Sequence, residues 1–334
     1  MIDIAKKLEL QDPVPFSKGT REARDRFHQS AQEKIPTGVT FLDDYMSGLR
    51  RTDFWVIAAA TGVGKTSLLT NIACNMVRAG RRVLFLALEA YEGEIQDRVR
   101  FRYIARRLPP EQRVSYDVYY DNPPVVPSEV EEWAIAQSNK QLDLLSVRTR
   151  IDKFDADELI KTIHHAGASR FDAVLLDHFH HVDPNPGVTE YEHQRALASA
   201  MESAAKNARV PVITAAHIRK RQDTAIIPGL DDIHGSAELI RRVTGVVMVA
   251  KATDAEERGD DKPTYIRVLK RRAGGVQDFT ALHYYDVTSN RYSQQYKLMR
   301  PRDGEYKPVE LFTRSMDITF KHANNVRGVM KHEG

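Results

Sequence analysis

A short glycine-containing loop is the part of the sequence with the clearest chemistry. Ala59-Ala60-Thr61-Gly62-Val63-Gly64-Lys65-Thr66 fits the Walker A pattern, with Ala at the position of the first Gly. An apolar stretch over residues 54–58 precedes this loop, and a stretch with helical character over residues 67–73 follows it. Gly62 and Gly64 allow successive backbone N–H groups to turn toward a phosphate, and the helix N-terminus adds its dipole. The sequence therefore predicts a nucleotide phosphate site.

Two loop residues and one acidic residue downstream predict a site for Mg-ATP. Lys65 is placed to reach the β- and γ-phosphates, and the Thr66 hydroxyl is placed to bind magnesium. Residues 171–177 read as an apolar strand that ends in a carboxylate, so Asp177 is expected to hold the same ion through water. The residues expected to contact ATP are Ala59, Ala60, Thr61, Gly62, Val63, Gly64, Lys65, Thr66 and Ser67.

A second carboxylate follows an apolar strand over residues 83–88. We expect this strand to lie beside the strand that carries the phosphate loop, with Glu89 at its C-terminal end. A carboxylate at that position can accept a proton from the attacking water. Glu89 is therefore a candidate general base for ATP hydrolysis, although acidic residues after strands are common.

The composition is that of a folded protein of moderate charge. The chain has 334 residues, 42% of them hydrophobic, and a net charge of +3, which excludes a disordered tail and a histone-like protein. Its single cysteine, Cys74, excludes an intrachain disulfide. The sequence contains no run of about 18 apolar residues and no apolar segment of a secretory signal at its start. We expect a soluble cytoplasmic protein that does not enter a membrane.

From Asp53 onward, apolar runs alternate with longer amphipathic stretches, which is typical of a parallel sheet flanked by helices. Strands are predicted at about 53–60, 82–88, 142–148, 172–177, 210–216, 244–250 and 264–270. Helices are predicted at about 65–79, 92–107, 127–138, 154–167 and 188–208. These elements place the phosphate loop and both carboxylates at the ends of strands.

Three segments are predicted along the chain. Residues 1–34 form an N-terminal segment, in which residues 18–32 are a candidate linker helix. Residues 35–295 form one ATPase domain, and the alternating stretch from Phe279 to Ser293 is expected to be its antiparallel edge. Residues 296–334 have weak periodicity and are expected to be a tail or a partner-binding segment.

Several further motifs, in order along the chain, resemble those of the RecA-like motor domain of DnaB-type replicative helicases, including related phage ring helicases. Besides the Walker A loop, the matching segments are residues 35–44 with Gly48-Leu49 ("TG…LD…GL"), 86–89 ("SLE"), 175–178 (Walker B), 211–217 (third motif), 231–239 (DNA loop) and 269–275 (Lys-x-Arg). The resemblance covers roughly residues 35–295. It implies an α/β fold, namely a RecA-like P-loop ATPase with a mainly parallel central sheet flanked by helices.

The resemblance also implies roles for residues outside the phosphate loop. Glu89 matches the glutamate that serves as catalytic base in the family, and His217 matches the position that senses the γ-phosphate. Lys270 and Arg272 match a Lys-x-Arg motif whose arginine acts on the ATP of the neighbouring subunit. The implied DNA loop contains His234, Gly235 and Ser236, where the family often has Arg-Glu or Arg-Gly at the first two positions. The DNA contact is therefore expected to rest on backbone groups, or on the basic residues Arg219, Lys220 and Arg221.

The function implied by the resemblance is that of an ATP-dependent DNA helicase motor for replication. Such a motor is expected to form a ring, most simply a hexamer, to translocate on single-stranded DNA, and to meet a primase or a loader. The first 34 residues leave no room for the N-terminal domain of the family, which argues against unwinding by this chain alone.

Three alternatives stay open. The first is a RecA- or KaiC-type ATPase in recombination or regulation, and the second is a helicase loader or accessory protein switched by nucleotide. Glu89, Lys270 and Arg272 argue against the second, because a switch has less need of a complete hydrolytic set. The third concerns the cluster of His178, His180, His181 and Asp183, which invites a second metal. Without Cys or a second spaced pair, a position lining the nucleotide or DNA side is the preferred interpretation.

Overall fold

The computed structural model describes Arg24 and residues 33–150, 152–219, 227–234, 237–272, 278–302 and 305–309. Apart from Arg24, the candidate linker helix at 18–32 lies outside these residues. The helices are α1 (Thr40–Met46), α2 (Lys65–Arg78), α3 (Glu94–Arg107), α4 (Tyr116–Asp121), α5 (Ser128–Leu142), α6 (Ala156–Ala168), α7 (Glu190–Ala208) and α8 (Ala237–Arg242). No helix of the described part is long and apolar enough to span a bilayer.

One sheet contains the strands of the described residues. They are β1 (Phe54–Ala59), β2 (Val83–Ala87), β3 (Leu145–Thr149), β4 (Ala173–Asp177), β5 (Val212–His217), β6 (Gly245–Lys251), β7 (Asp261–Arg271), β8 (Phe279–Asp286), β9 (Arg291–Tyr292), β10 (Lys297–Arg302) and β11 (Glu305–Pro308). Their order is β11-β10-β8-β7-β6-β1-β5-β4-β2-β3, with β9 paired to β8. The six neighbouring strands β6-β1-β5-β4-β2-β3 are parallel, while β7 to β11 pair antiparallel. The predicted α/β fold with a mainly parallel centre is therefore confirmed.

The sheet separates two apolar cores. Along β1, the side chains of Trp55, Ile57 and Ala59 join the core formed with α1 to α5. The alternate residues Phe54, Val56 and Ala58 join the core formed with α6 to α8. Because successive side chains of a strand point to opposite faces, a strand covered on both faces must be apolar throughout. This explains why the central strands are continuous apolar runs in the sequence.

The strand order corrects one expectation about the site. We predicted that β2, which precedes Glu89, lies beside β1, but β5 and β4 separate these two strands. The neighbour of β2 on this side is β4, and their last residues, Ala87 and Asp177, are partners in the register. Glu89 is therefore next to the Walker B strand rather than next to the phosphate-loop strand.

The C-terminal boundary of the sheet also differs from the expectation. The predicted domain ends at residue 295 and a tail begins at 296, whereas β10 and β11 extend the sheet to Pro308. β8 and β9 form the expected antiparallel pair, but β8 lies between β7 and β10 and is not an edge strand. Leu298 and Met299 of β10 are buried against the sheet. These strands are too short, at six and four residues, to give a clear alternating pattern.

The "TG…LD…GL" segment has a structural role in joining α1 to α2. The Asp43 carboxylate accepts hydrogen bonds from the Thr37 N–H at 2.7 Å, the Thr37 hydroxyl at 2.8 Å and the Gly38 N–H at 2.8 Å. The Gly38 carbonyl accepts a hydrogen bond from the Asn75 side chain at 2.8 Å. Gly38 has a positive φ of 70°, and a Cβ there would lie 2.4 Å from the Asn75 Cβ. The motif therefore fixes the segment that leads into β1.

Candidate nucleotide site

The phosphate loop connects β1 to α2 as the sequence predicts. Gly62 and Gly64 have positive φ angles of 74° and 106°, and α2 begins at Lys65. The Lys65 ammonium group donates to the carbonyl oxygens of Ala59 and Ala60 at 3.2 and 3.1 Å. Burial lowers the pKa of Lys65, while Asp177 and Glu89 nearby act in the opposite direction. The loop thus presents a helix N-terminus and a buried lysine to the same small volume.

A hydroxyl and a carboxylate meet beside the loop. The Thr66 hydroxyl donates to Asp177 Oδ2 at 2.6 Å, and Asp177 is only 2% exposed. Burial raises the pKa of this carboxyl group, and the hydrogen bond from Thr66 opposes that rise. The other carboxylate oxygen, Oδ1, is buried and makes no hydrogen bond to a described residue. Oxygen ligands of this kind suit Mg²⁺, so Thr66 and Asp177 fit the ion that the sequence predicts.

Glu89 lies near this pair, on the turn that follows β2. Its side chain is 49% exposed, and its Oε2 atom lies 3.4 Å from Nε2 of His178. The backbone holds the turn in place, since Leu88 N–H donates to the Asp177 carbonyl at 2.8 Å. A half-exposed carboxylate close to the phosphate loop can reach a water molecule, which is what a general base requires.

His217 and His178 connect Glu89 to Lys65. His217 is the last residue of β5, and its Nδ1 atom lies 3.1 Å from Lys65 Nζ. Its Nε2 atom lies 2.9 Å from Nε2 of His178, which is 1% exposed. Burial lowers the pKa of His217, and lowers that of His178 to about 2. Both imidazoles are therefore neutral at physiological pH, and the two rings lie between the Lys65 ammonium group and the Glu89 carboxylate.

From the sequence, His178 has no specific role and is grouped with His180, His181 and Asp183. In the structure, Asp183 pairs with Arg150 at 2.9 Å and does not belong to the cluster of ligand atoms among the described residues. Ligand atoms of Glu89, His178 and His181 lie within 4.8 Å of one another. Only the position after Asp177 could have pointed to His178, since burial and the contact with Glu89 depend on the fold.

Lys270 and Arg272 lie near the N-terminal ends of the parallel strands, whereas the phosphate loop lies at their C-terminal ends. Arg272 N–H donates to the Thr244 carbonyl at 2.8 Å, and Thr244 N–H donates to the carbonyl of Phe54, the first residue of β1, at 2.7 Å. Six residues of β1 span about 20 Å, which exceeds the reach of an arginine side chain. The Arg272 guanidinium is 60% exposed and lies 3.5 Å from Glu202, while Lys270 donates to the Arg241 carbonyl at 3.2 Å. These two cations cannot reach the phosphate loop of their own subunit.

Comparison with known proteins agrees with this arrangement. Residues 34–293 match the family model described as the DnaB-like helicase C terminal domain. The chain belongs to this family. It is 23% identical over 295 residues to a probable plasmid replicative DNA helicase of Chlamydia muridarum, covering 83% of this chain and 58% of the relative. It is 25% identical over 284 residues to the replicative DNA helicase DnaB of Mycoplasma genitalium, covering 78% and 56%.

A solved structure supports the fold of this DnaB-like domain. The structure described as a DnaB-like replicative helicase and its interactions with primase superposes with a TM-score of 0.68 and 16% identity, covering 86% of this chain and 69% of that one. The RecA-like ATPase fold implied by the resemblance is therefore confirmed. The chain spans a little over half the length of the two helicases that it matches.

Two backbone hydrogen bonds close the segment between β5 and α8, which contains the predicted DNA loop. The His217 carbonyl accepts from His234 N–H at 2.8 Å, and Arg219 N–H donates to the Asp232 carbonyl at 2.7 Å. Arg219 and His234 are exposed, whereas Lys220, Arg221, Gly235 and Ser236 lie outside the described residues. One of these bonds thus ties His234 to His217, the predicted γ-phosphate sensor, and the other closes the segment just beyond β5.

Proposed function

We propose that this chain is the motor of a ring-forming, ATP-dependent DNA helicase that translocates on single-stranded DNA during replication. The observation that carries the proposal is that Lys65 and Arg272 lie at opposite ends of the strands of one sheet. One subunit holds the phosphate loop, the metal ligands and the base, but not the arginine. When subunits are placed head to tail, Arg272 of one subunit comes to the phosphate loop of the next. Heterologous contacts of this kind close into rings, and we propose a hexamer.

Each named residue has a part in ATP hydrolysis. Lys65 would bind the β- and γ-phosphates, and Thr66 and Asp177 would hold Mg²⁺, whose charge would offset that of the phosphates. Glu89 accepts the proton of the attacking water, and His178 orients Glu89 through their 3.4 Å contact. Arg272 from the neighbouring subunit, with Lys270 beside it, stabilises the charge that develops on the transferring phosphoryl group.

Coupling to DNA follows from the position of His217. Its ring contacts Lys65, and its backbone holds one end of the DNA loop, so a shift of this residue moves both sites together. Arg219, Lys220 and Arg221 supply the positive charge for DNA phosphates, with the backbone of residues 234–236 as a further contact. A cycle of ATP binding and hydrolysis around the ring would then move these loops along the strand.

The partners and the location in the cell are inferred from the proposed helicase function. A primase is a proposed partner, because a solved relative is described in its interactions with primase. A helicase loader is a second one. We place the protein in the cytoplasm, where replication of bacterial or plasmid DNA takes place.

Strand displacement on forked DNA tests the function. Substrates with a 5′ or a 3′ tail are compared with ATP, with a non-hydrolysable analogue and with the Lys65→Ala variant as the inactive control. ATP-dependent displacement of one substrate by the wild type alone supports the proposal. Filament formation on DNA without displacement would instead favour a RecA-type ATPase.

The DNA contact has a separate test. Affinity for single-stranded DNA is measured as a function of salt for the wild type and for a variant with Gln at positions 219, 220 and 221. The loss of three phosphate contacts should reduce the slope of log K against log salt by roughly 2 units, at about 0.7 per phosphate. An unchanged slope would place these residues outside the DNA interface.

A further inference from the structure

Four arginines converge on a small pocket on the α2–α3 side of the sheet. Arg78 ends α2, Arg102 and Arg106 belong to α3, and Arg291 begins β9. The remaining lining residues carry no negative charge; they are Cys74, Val99, Tyr103 and Gln141. Lys65 and Cys74 are nine residues apart on α2, or about 14 Å along the helix axis. The pocket is therefore distinct from the phosphate loop.

Arg102 forms the base of this pocket and carries an unused hydrogen-bond donor. It is 4% exposed, and one of its terminal nitrogens donates to Asn71. Its Nε atom is buried and has no hydrogen-bond partner. A buried guanidinium is normally paired with an acidic group, because an unpaired charge is costly to remove from water. None of the four arginines forms an ion pair with another residue of the described part.

The four positive charges also act on one another. Arg291 is half-buried and donates to the Arg102 backbone carbonyl at 3.2 Å, so β9 and α3 are in direct contact at the pocket. Burial and the charges of Arg102, Arg78 and Arg106 together lower the pKa of Arg291 to about 10. An anion among these groups would offset the repulsion between the four positive charges.

We propose that this arginine pocket is a binding site for a small phosphate-type dianion. Guanidinium groups match the oxygen spacing of phosphate and bind it through paired hydrogen bonds. The pocket is too small for a nucleotide and suits one tetrahedral anion. Arg78 and Arg106, which also line the pocket, are exposed, so an anion can meet these two side chains from solvent.

Occupation of the pocket ties together three elements that also surround the nucleotide site. The anion joins α2, α3 and β9 through their arginines. Tyr292, the residue after Arg291, lies against Gly64 of the phosphate loop, where a Cβ would be 3.3 Å from the tyrosine hydroxyl. The anion therefore stabilises the fold and holds β9 against the loop. This inference does not depend on helicase activity.

Calorimetry with inorganic phosphate tests the site. The starting protein is Lys65→Ala, which lacks the main cation of the phosphate loop. The test variant adds Arg78→Gln and Arg106→Gln, two exposed changes that spare the buried Arg102. Since hydrogen bonds to charged groups are involved, we expect the affinity for phosphate to fall roughly tenfold or more. The matched control adds Arg195→Gln and Arg241→Gln, which remove the same charge from exposed positions on α7 and α8.

A second readout separates binding from damage to the fold. At one phosphate concentration, the melting temperature of the starting protein and of the control should rise more than that of the test variant, because a ligand of the folded state stabilises it according to its affinity. Circular dichroism in the absence of phosphate should be the same for all three proteins. Equal phosphate affinity in the test variant and the control, or no binding to the starting protein, would overturn the proposal.

Discussion

The Arg272→Ala variant measures whether the nucleotide site is shared between subunits. Within one subunit, Arg272 lies about 20 Å from the phosphate loop, because β1 separates them along its length. Two unit charges at that distance in water interact by roughly 0.2 kcal/mol, which changes a rate by less than twofold. An arginine that contacts the transferring phosphoryl group contributes about 10³–10⁵ in rate. The two geometries therefore predict effects that differ by at least two orders of magnitude.

The variant should fold normally, so that a loss of activity can be interpreted. Arg272 is largely exposed and pairs with Glu202, which keeps its contacts with Lys206 at 2.6 Å and Arg242 at 3.0 Å. An exposed ion pair contributes about 1 kcal/mol or less. Arg241→Ala is a suitable control, because this side chain is also exposed and lies at the same edge of the sheet.

The assay compares steady-state ATP hydrolysis with nucleotide binding. We expect Arg272→Ala to bind ATP normally and to hydrolyse it at least 10³-fold more slowly, while Arg241→Ala stays close to wild type. Mixing Arg272→Ala with Lys65→Ala protein should restore part of the activity, since mixed rings contain interfaces with both residues intact. A loss below twofold in Arg272→Ala alone would refute the shared site.

Three further predictions concern the base, the pH dependence of stability and the loop before β1. Glu89→Gln should keep nucleotide binding and lower hydrolysis by roughly 10²-fold or more, whereas lost binding would indicate a structural role. Burial lowers the pKa values of three histidines, to about 2 for His178 and about 4 for His180 and His283. Below about pH 6.5 these histidines take up protons in the unfolded chain but not in the folded one. The free energy of unfolding should therefore fall as pH drops, by up to about 1.4 kcal/mol per pH unit for each histidine. Urea titrations that give a constant free energy of unfolding from pH 7.5 to 5 would contradict this. Asp43→Ala should lower the free energy of unfolding by about 2–4 kcal/mol in urea, because it leaves two backbone N–H groups without their acceptor, while Asp44→Ala at an exposed position should cost far less.

Much of the site could be predicted because it is local in the chain. The phosphate loop is a contiguous strand–loop–helix unit, so its glycines, lysine and threonine occur within eight residues. The strand that ends at Asp177 is likewise a local pattern of apolar residues followed by an acid. Predicted boundaries agree with the structure within a few residues for the central strands, for example 53–60 against Phe54–Ala59. Burial on both faces produces those apolar runs, which is why they are readable in the sequence.

The rest of the site depends on contacts between distant segments. The contact of His178 with Glu89 and His217 joins the ends of three strands, and nothing in the chain near any of them indicates it. The position of β2 beside β4 rather than β1 depends on how the helical crossovers pass over the sheet. The pairing of β10 with β8 is missed for a different reason, because short strands give little periodic signal.

By itself, the sequence determined the α/β class, the phosphate loop, the two carboxylates and the order of the motifs. Only the tertiary structure determines which of these residues lie close together in space. β7 runs antiparallel to β6, so Lys270 near its C-terminus and Arg272 just after it lie at the end of the strands opposite the phosphate loop. Arg291 and Arg102 are 189 residues apart in the chain and meet in one pocket. The physical reason is that apolar patterning specifies which residues are buried, whereas strand direction and neighbours arise from packing of the whole sheet.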